Sequence, residues 1–224
     1  MAVDLKNIAL IKSKLPATVK LVAVSKTKPV SDILEVYETG QKIFGENRVQ
    51  ELLSKKDKLP ADIEWHLIGH LQTNKVKSVV PFIGMIESVD SFRLLNAINH
   101  EAAGVNRVVD CLLQIHIAQE STKYGFSGGE LHEGLASNDV LSMKNVRICG
   151  LMGMATFTSD KAIVEKEFSL LDELFRSLKN DYFSSCSYFT EKSMGMSGDF
   201  ETAIKMGSTM VRIGSLIFGE RNYH

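Results

Sequence analysis

A lysine placed at the end of an apolar strand is the residue in this chain best suited to covalent chemistry. Lys26 follows Leu21-Val22-Ala23-Val24-Ser25, a run with the continuously apolar, β-branched character of a strand buried on both faces of a parallel sheet. An amine emerging there beside an apolar wall loses its proton more readily than one in water, because desolvation disfavours the ammonium form. A neutral amine is what condensation with a carbonyl requires. A solvent-facing lysine just past a strand, with Lys28 before Pro29 as its companion, carries the same local signature. Lys26 therefore needs a second group to define a site.

That second group is Ser193-Met194-Gly195-Met196-Ser197-Gly198-Asp199, ahead of a helical run through Ala203, Ile204 and Met206. Small residues let backbone N–H groups approach an anion closely. Ser197 is expected to cap the helix and offer its hydroxyl, and the helix start adds favourable partial charge. Asp199, an anion in the same turn, works against this reading, and an ordinary capped helix start has the same composition. Further on, Thr209-Met210-Val211-Arg212-Ile213-Gly214-Ser215 sets a guanidinium in an apolar strand. By two-residue alternation Arg212 shares a face with Met210 and Gly214, and a buried arginine requires a partner. Gly214 and Ser215 repeat the small, donor-rich turn at the end of this strand.

Weaker signals lie on the same face. Gly45-Glu46-Asn47 closes a short apolar run, and Trp65-His66-Leu67-Ile68-Gly69-His70 spans another. Asn47 and His66 are ligand-side candidates, with His66 equally consistent with a satisfied core or rim histidine, whereas His70 reads as an ordinary rim histidine. Gln114 and His116 share one side of a further strand and are equally consistent with a polar layer inside a barrel. Met152, Met154, Met194 and Met196 read as packing material.

Elements able to bring positions 26 and 215 together follow from the pattern. Leu5, Ile8, Ile11, Lys12 and Leu15 predict an amphipathic helix ending before Pro16. Short β-branched runs then alternate with longer segments of helical period, the rhythm of βα units and a parallel sheet. Predicted strands are Lys20–Ser25, Lys42–Gly45, Ile63–Ile68, Phe82–Ser88, Asp110–Ile117, Val146–Met152, Ser185–Thr190 and Thr209–Ile213. The clearest helix carries Val164, Phe168, Leu171, Phe175 and Leu178 on one stripe. Eight strands in order, without a linker or repeat, predict an α/β fold, a single (β/α)8 barrel over residues 1–224, with an open doubly wound sheet as the alternative. In such a barrel the strand C-termini carry the active site, and the turns after the last two strands frequently bind phosphate.

Bulk properties narrow the partners. The 224 residues are 44% hydrophobic, enough for one substantial core, and 26 Lys plus Arg against 27 Asp plus Glu leave no global field to attract nucleic acid or an acidic membrane surface. Cys111, Cys149 and Cys186 are widely spaced and form no C-x-x-C pair, which argues against a zinc site or a disulfide framework and for a reducing compartment. The opening residues lack a basic segment followed by an apolar one, and no run approaches the roughly 18 apolar residues of a membrane span, so a cytoplasmic protein is expected.

Taken jointly, several motifs resemble the pyridoxal phosphate homeostasis protein family, whose barrel is similar to the N-terminal domain of alanine racemase. They are Ala23-Val24-Ser25-Lys26-Thr27-Lys28-Pro29, Phe44-Gly45-Glu46-Asn47, Trp65 through Lys75, Glu120 with Lys123 and Gly125, Ser193 through Ser197, and Val211-Arg212-Ile213-Gly214. The resemblance runs nearly end to end. It implies pyridoxal 5′-phosphate as cofactor, held as a Schiff base (aldimine) on Lys26. It further implies that Ser197, Gly214 and Ser215 grip the phosphate, Arg212 faces the pyridine nitrogen and Asn47 lies near the ring. Two positions depart from the pattern: Ser215 replaces a commoner threonine and keeps its hydroxyl, while His116 stands where many relatives carry asparagine.

The implied function is cofactor homeostasis rather than committed catalysis, with handover to apo-enzymes as its furthest extension and a monomer expected. An arginine beside the pyridine nitrogen opposes the protonation that carbanion chemistry exploits. Racemisation needs a second base on the opposite face of the substrate, which alanine racemase takes from a further domain, and no such domain is expected before His224. The alternatives are a racemase-like enzyme dependent on the same cofactor, and an aldolase using Lys26 transiently with no stored cofactor.

Overall fold

The structure is a computed structural model that describes residues 3–119, 124–137 and 139–219. A first helix, α1 (Leu5–Lys14), is capped by the Asp4 carboxylate and leads into the first strand, β1 (Lys20–Val24). Seven further βα units follow. Their strands are β2 (Ile43–Glu46), β3 (Glu64–Leu67), β4 (Met85–Val89), β5 (Val109–Ile115), β6 (Val146–Gly153), β7 (Glu191–Ser193) and β8 (Met210–Ile213). The helices after β1 are α2 (Val30–Glu38), α3 (Val49–Lys56), α4 (Val76–Val79), α5 (Phe92–Gly104), α6 (Gly128–Ala136), α7 (Lys161–Asp181), α8 (Phe200–Lys205) and α9 (Ser215–Phe218). All strand pairs are parallel and the sheet closes, with β1 paired to β8 through Leu21 opposite Val211 and Val22 opposite Arg212. The predicted barrel is therefore the observed fold, and the open sheet is excluded.

Closure follows from the apolar pattern. Each strand sends one set of side chains outward to a helix and the other into the lumen. The outer set, including Phe44, Leu67, Ile86, Leu113 and Val211, packs with Ile33, Leu52, Leu94, Leu131 and Phe168 of the helices in one continuous core. A smaller inner layer holds Val22, Met85, Leu112, Cys149, Met152 and Met210, which fills the barrel as side chains rather than leaving a pore. No described helix is long and apolar enough to cross a membrane.

The seventh strand corrects the sequence reading. Residues 185–190, predicted as a strand, form turns, and the apolarity that suggested pairing serves packing instead: Phe189 stacks on Phe183 and Phe175 with ring centroids 4.2 and 4.8 Å apart. The true strand is Glu191–Ser193, pairing Glu191 with Gly150 and Ser193 with Met152. Its side chains are polar because they meet polar partners. Glu191 bonds Lys20 and Thr209, and Ser193 bonds Glu87 and Arg212.

Candidate functional site

The C-terminal ends of β1, β2, β6, β7 and β8 surround a cavity of about 570 Å³, lined by Lys26, Asn47, Met154, Thr156, Met196, Ser197, Arg212, Gly214 and Ser215 among others. That volume suits a small cofactor. Lys26 and Ser215, 189 positions apart along the chain, thus meet in one pocket.

Each wall has a local cause. Asn47 follows β2, and its backbone lies against Gly69: a Cβ there would come within 2.4 Å of the Asn47 carbonyl oxygen. Only glycine permits this approach of the β3 loop. Asn47 Oδ1 is buried with no hydrogen-bond partner among the described residues, an acceptor on the cavity wall that lacks a donor. At the opposite wall Gly195 turns the chain after β7 with φ +96°, and a Cβ would collide with Ala203 at 2.5 Å. The turn brings Ser197 to the start of α9, where Gly214 N–H donates to Ser197 Oγ at 3.3 Å. Lys28 Nζ donates to the Phe218 carbonyl at 2.6 Å and ties α9 to the β1 end.

Ser197 does not cap α8 as expected. The helix begins at Phe200 with Asp199 in the capping position, and the Asp199 carboxylate accepts the Met196 N–H at 2.5 Å. The acid that seemed to oppose an anion site folds the turn around itself, and Ser197 bonds across to the β8 turn.

Below the cavity lies a buried polar chain. Arg212, 4% exposed, donates to Ser193 Oγ at 2.6 Å and to the Gly153 carbonyl at 2.9 Å. Ser193 Oγ donates to Glu87 Oε2 at 2.5 Å, and Glu87 Oε1 lies 2.7 Å from His66 Nδ1. His66 Nε2 reaches Glu64 at 3.1 Å. His66 therefore sits beneath the cavity floor, linked to Arg212 through two residues, and is not among the lining residues where the sequence reading set it. Burial pulls the Arg212 pKa down while Glu87 and Asp199 oppose it, and a guanidinium stays charged in proteins.

Burial also opposes the His66 imidazolium, but bonds to Glu64 and Glu87 outweigh it and raise the pKa to about 9. Glu87 is held below the carboxylate range: burial raises its pKa, but His66, Arg212 and Ser193 together more than offset that. For a pKa raised on folding, the stabilisation is complete below the unfolded value near 6.5 and is lost as pH climbs through the folded value. Unfolding free energy is expected to fall by on the order of 2–3 kcal/mol between pH 6 and pH 9.5, from a shift worth about 1.4 kcal/mol per unit. Urea titrations at the two pH values check this, with His66→Gln flattening the slope; equal slopes in both proteins would remove His66 as its source.

Other residues lie apart from the cavity. His70 bonds Asp90 at 2.7 Å and stacks on Tyr124 with centroids 4.2 Å apart. Gln114 Nε2 donates to the Tyr124 carbonyl at 2.8 Å, and His116 follows β5 with its backbone N–H on Phe126 at 3.0 Å. Neither lines the cavity. Glu120 and Lys123 lie outside the described residues. The sequence reading missed Thr156, whose N–H and hydroxyl both donate at 2.7 Å to the buried Glu167 carboxylate. An acid on a charged helix gave no sign of that role. Among the described residues no cluster of His, Cys, Asp and Glu is arranged to hold a metal ion.

The closed parallel barrel with its cavity at the strand C-termini belongs to the class of alanine racemase N-terminal domains, whose family model matches residues 5–222. Within that class the chain belongs to the pyridoxal phosphate homeostasis protein family. It is 42% identical to the pyridoxal phosphate homeostasis protein of Aquifex aeolicus over 205 residues, covering 91% of this chain and 88% of that one. It is 39% identical to the human protein of the same name over 216 residues, covering 91% and 77%. Among solved structures, PipY of Synechococcus elongatus with PLP (pyridoxal 5′-phosphate) bound superposes with a TM-score of 0.88 at 34% identity, over 96% of this chain and 99% of that one. Alanine racemase of Clostridium difficile matches at 0.77 and 15% identity over 98% of this chain and 61% of its own, a likeness of fold alone.

Proposed function

We propose that this protein holds pyridoxal 5′-phosphate as a Schiff base on Lys26 and serves cofactor homeostasis, accepting and releasing the aldehyde and passing it to apo-enzymes. The observation that carries this reading is the convergence of Lys26 at the end of β1, the buried Arg212 and two small, donor-bearing turns on a single cavity. The residues fit the group. Ser197 Oγ and Ser215 Oγ offer donors to a phosphate, Asn47 Oδ1 offers an acceptor with no partner among the described residues, and Met154 and Met196 supply apolar surface for a ring. When bound, the cofactor supplies a reactive aldehyde and an electron-accepting ring. The Lys26 nitrogen would bond to the aldehyde carbon, with the carbonyl oxygen and the two amine protons leaving as one water and no change of oxidation state.

The names of the relatives and the PLP-bound PipY support this reading. Arg212 favours a carrier over a catalyst. A guanidinium only donates hydrogen bonds, so one placed alongside a ring nitrogen disfavours a proton there and weakens carbanion stabilisation. Borohydride reduction of the purified protein followed by peptide mass analysis is expected to find one pyridoxyl phosphate adduct, on the peptide bearing Lys26. An adduct elsewhere, or none, would overturn the site. Sustained turnover of an amino acid at enzymatic rates, on the order of 1–1,000 per second, would instead make the protein an enzyme.

A further inference from the structure

Lys26 lines the cavity, and α3 of the second βα unit, whose Glu51 and Lys55 are not among the lining residues, reaches the turn that carries it. Glu51 and Lys55 are four residues apart on one face of that helix. Lys55 Nζ donates to the Ser25 carbonyl at 2.9 Å, to Glu46 Oε1 at 2.8 Å and to Glu51 Oε1 at 2.5 Å. Glu51 Oε1 also accepts the Thr27 backbone N–H at 2.5 Å. The Ser25 carbonyl belongs to the peptide group before Lys26, and the Thr27 N–H to the one after it. Both peptides flanking the lysine are thus tied to the same charged pair.

Two features show that this hold is more than incidental packing. Thr27 has φ +65°, a left-handed conformation that β-branched residues rarely adopt and that persists only where the surroundings over-determine it. The cluster itself is buried: Lys55 and Glu46 side chains are 7% and 0% exposed, Ser25 Oγ donates to Glu46 at 2.7 Å, and Glu46 Oε2 has no partner among the described residues. A buried ion cluster with an unmet oxygen stabilises a fold no better than apolar side chains of the same volume. What it supplies is direction.

We propose that Glu51 and Lys55 are positioning residues of the Lys26 site, fixing the peptide planes on either side so that the amine enters the cavity in one orientation. This rests on the covalent role proposed above for Lys26, and the test separates the two.

Equilibrium binding is measured with pyridoxal 5′-phosphate and with pyridoxine 5′-phosphate, which carries an alcohol in place of the aldehyde and reports the phosphate and ring contacts without the covalent bond. In Glu51→Ala and Lys55→Met, affinity for the aldehyde is expected to fall by between about tenfold and a hundredfold, the loss that small misplacement of a reacting group brings. Affinity for the alcohol is expected to hold. Lys55→Arg, which keeps donors toward the Ser25 carbonyl, is expected to recover most of the loss. Equal losses for both ligands, or an unchanged affinity for the aldehyde, would overturn the inference. Should Lys55→Met fail to fold because Glu46 is left unpaired, Glu51→Ala carries the test, since its side chain is 21% exposed and Lys55 remains on Glu46. A wild-type protein with no borohydride adduct on Lys26 removes the reading and the inference together; a wild-type adduct with indifferent variants removes the inference alone.

Discussion

Glu87→Ala is expected to destabilise the barrel by about 3–5 kcal/mol, the cost of stripping one partner from a buried charge cluster. Glu87 is fully buried and accepts from both His66 and Ser193, with the Arg212 guanidinium 3.9 Å away. Its removal leaves two cations without their common anion. His66 can respond by releasing its proton, which its burial already favours and only Glu64 then resists; Arg212 has no such escape. The loss should therefore be strongly non-additive. Glu87→Ala combined with Arg212→Leu removes the stranded charge, and the pair is expected to be more stable than Glu87→Ala alone. Urea unfolding of the single and double variants measures this, and an NMR titration should show the His66 pKa falling from about 9 toward its ordinary range in Glu87→Ala. A single-variant loss under about 1 kcal/mol would mean that water or a neighbouring carbonyl compensates Arg212 as well as Glu87 does.

The same cluster shows what was legible in the sequence and what was not. Continuous apolar runs such as Leu21–Val24 mark strands because both faces of a parallel barrel strand are buried, and the stripe from Val164 to Leu178 marks α7 because only one of its faces is. Lys26 and Arg212 stood out as charges at the end of, or within, such runs. Glu191–Ser193 could not be read that way. Its side chains answer Lys20 of β1, Glu87 of β4, Arg212 of β8 and Thr209 just before β8. Polar pairing across a lumen has no period. The sequence leaves His66 open between the ligand side and a satisfied core histidine, because alternation gives the face of a strand and not the depth along it; it lies under the floor, bonded to Glu64 and Glu87. Ser197 was read as a cap because it precedes a helical run, whereas the Asp199 carboxylate folds the turn from within. Glu51 and Lys55 have the spacing of an ordinary surface ion pair, and only the tertiary approach of α3 to the β1 end gives them Ser25 and Thr27 as partners.

Lys26→Ala is expected to abolish cofactor retention while leaving the fold intact. The side chain lines the cavity, and the bonds that shape its turn run through the backbone of Ser25 and Thr27, which alanine preserves. Far-UV circular dichroism and the unfolding midpoint should therefore match the wild type closely. Binding should not. An amine held beside the aldehyde reacts as though present at very high effective concentration, and without it the non-covalent contacts from Ser197, the β8 turn, Arg212, Asn47 and the apolar lining remain. A loss of more than about a hundredfold in affinity, roughly 3 kcal/mol, is expected. After dialysis the variant should be colourless where the wild type stays yellow, yet inorganic phosphate should still compete for what weak pyridoxal phosphate binding persists. That residual competition distinguishes a lost covalent bond from a collapsed pocket: with the pocket collapsed, phosphate would have nothing to displace. A variant that keeps both colour and affinity would shift the aldehyde to another amine at the rim, of which Lys28, two residues along and also lining the cavity, is the first to exchange for alanine.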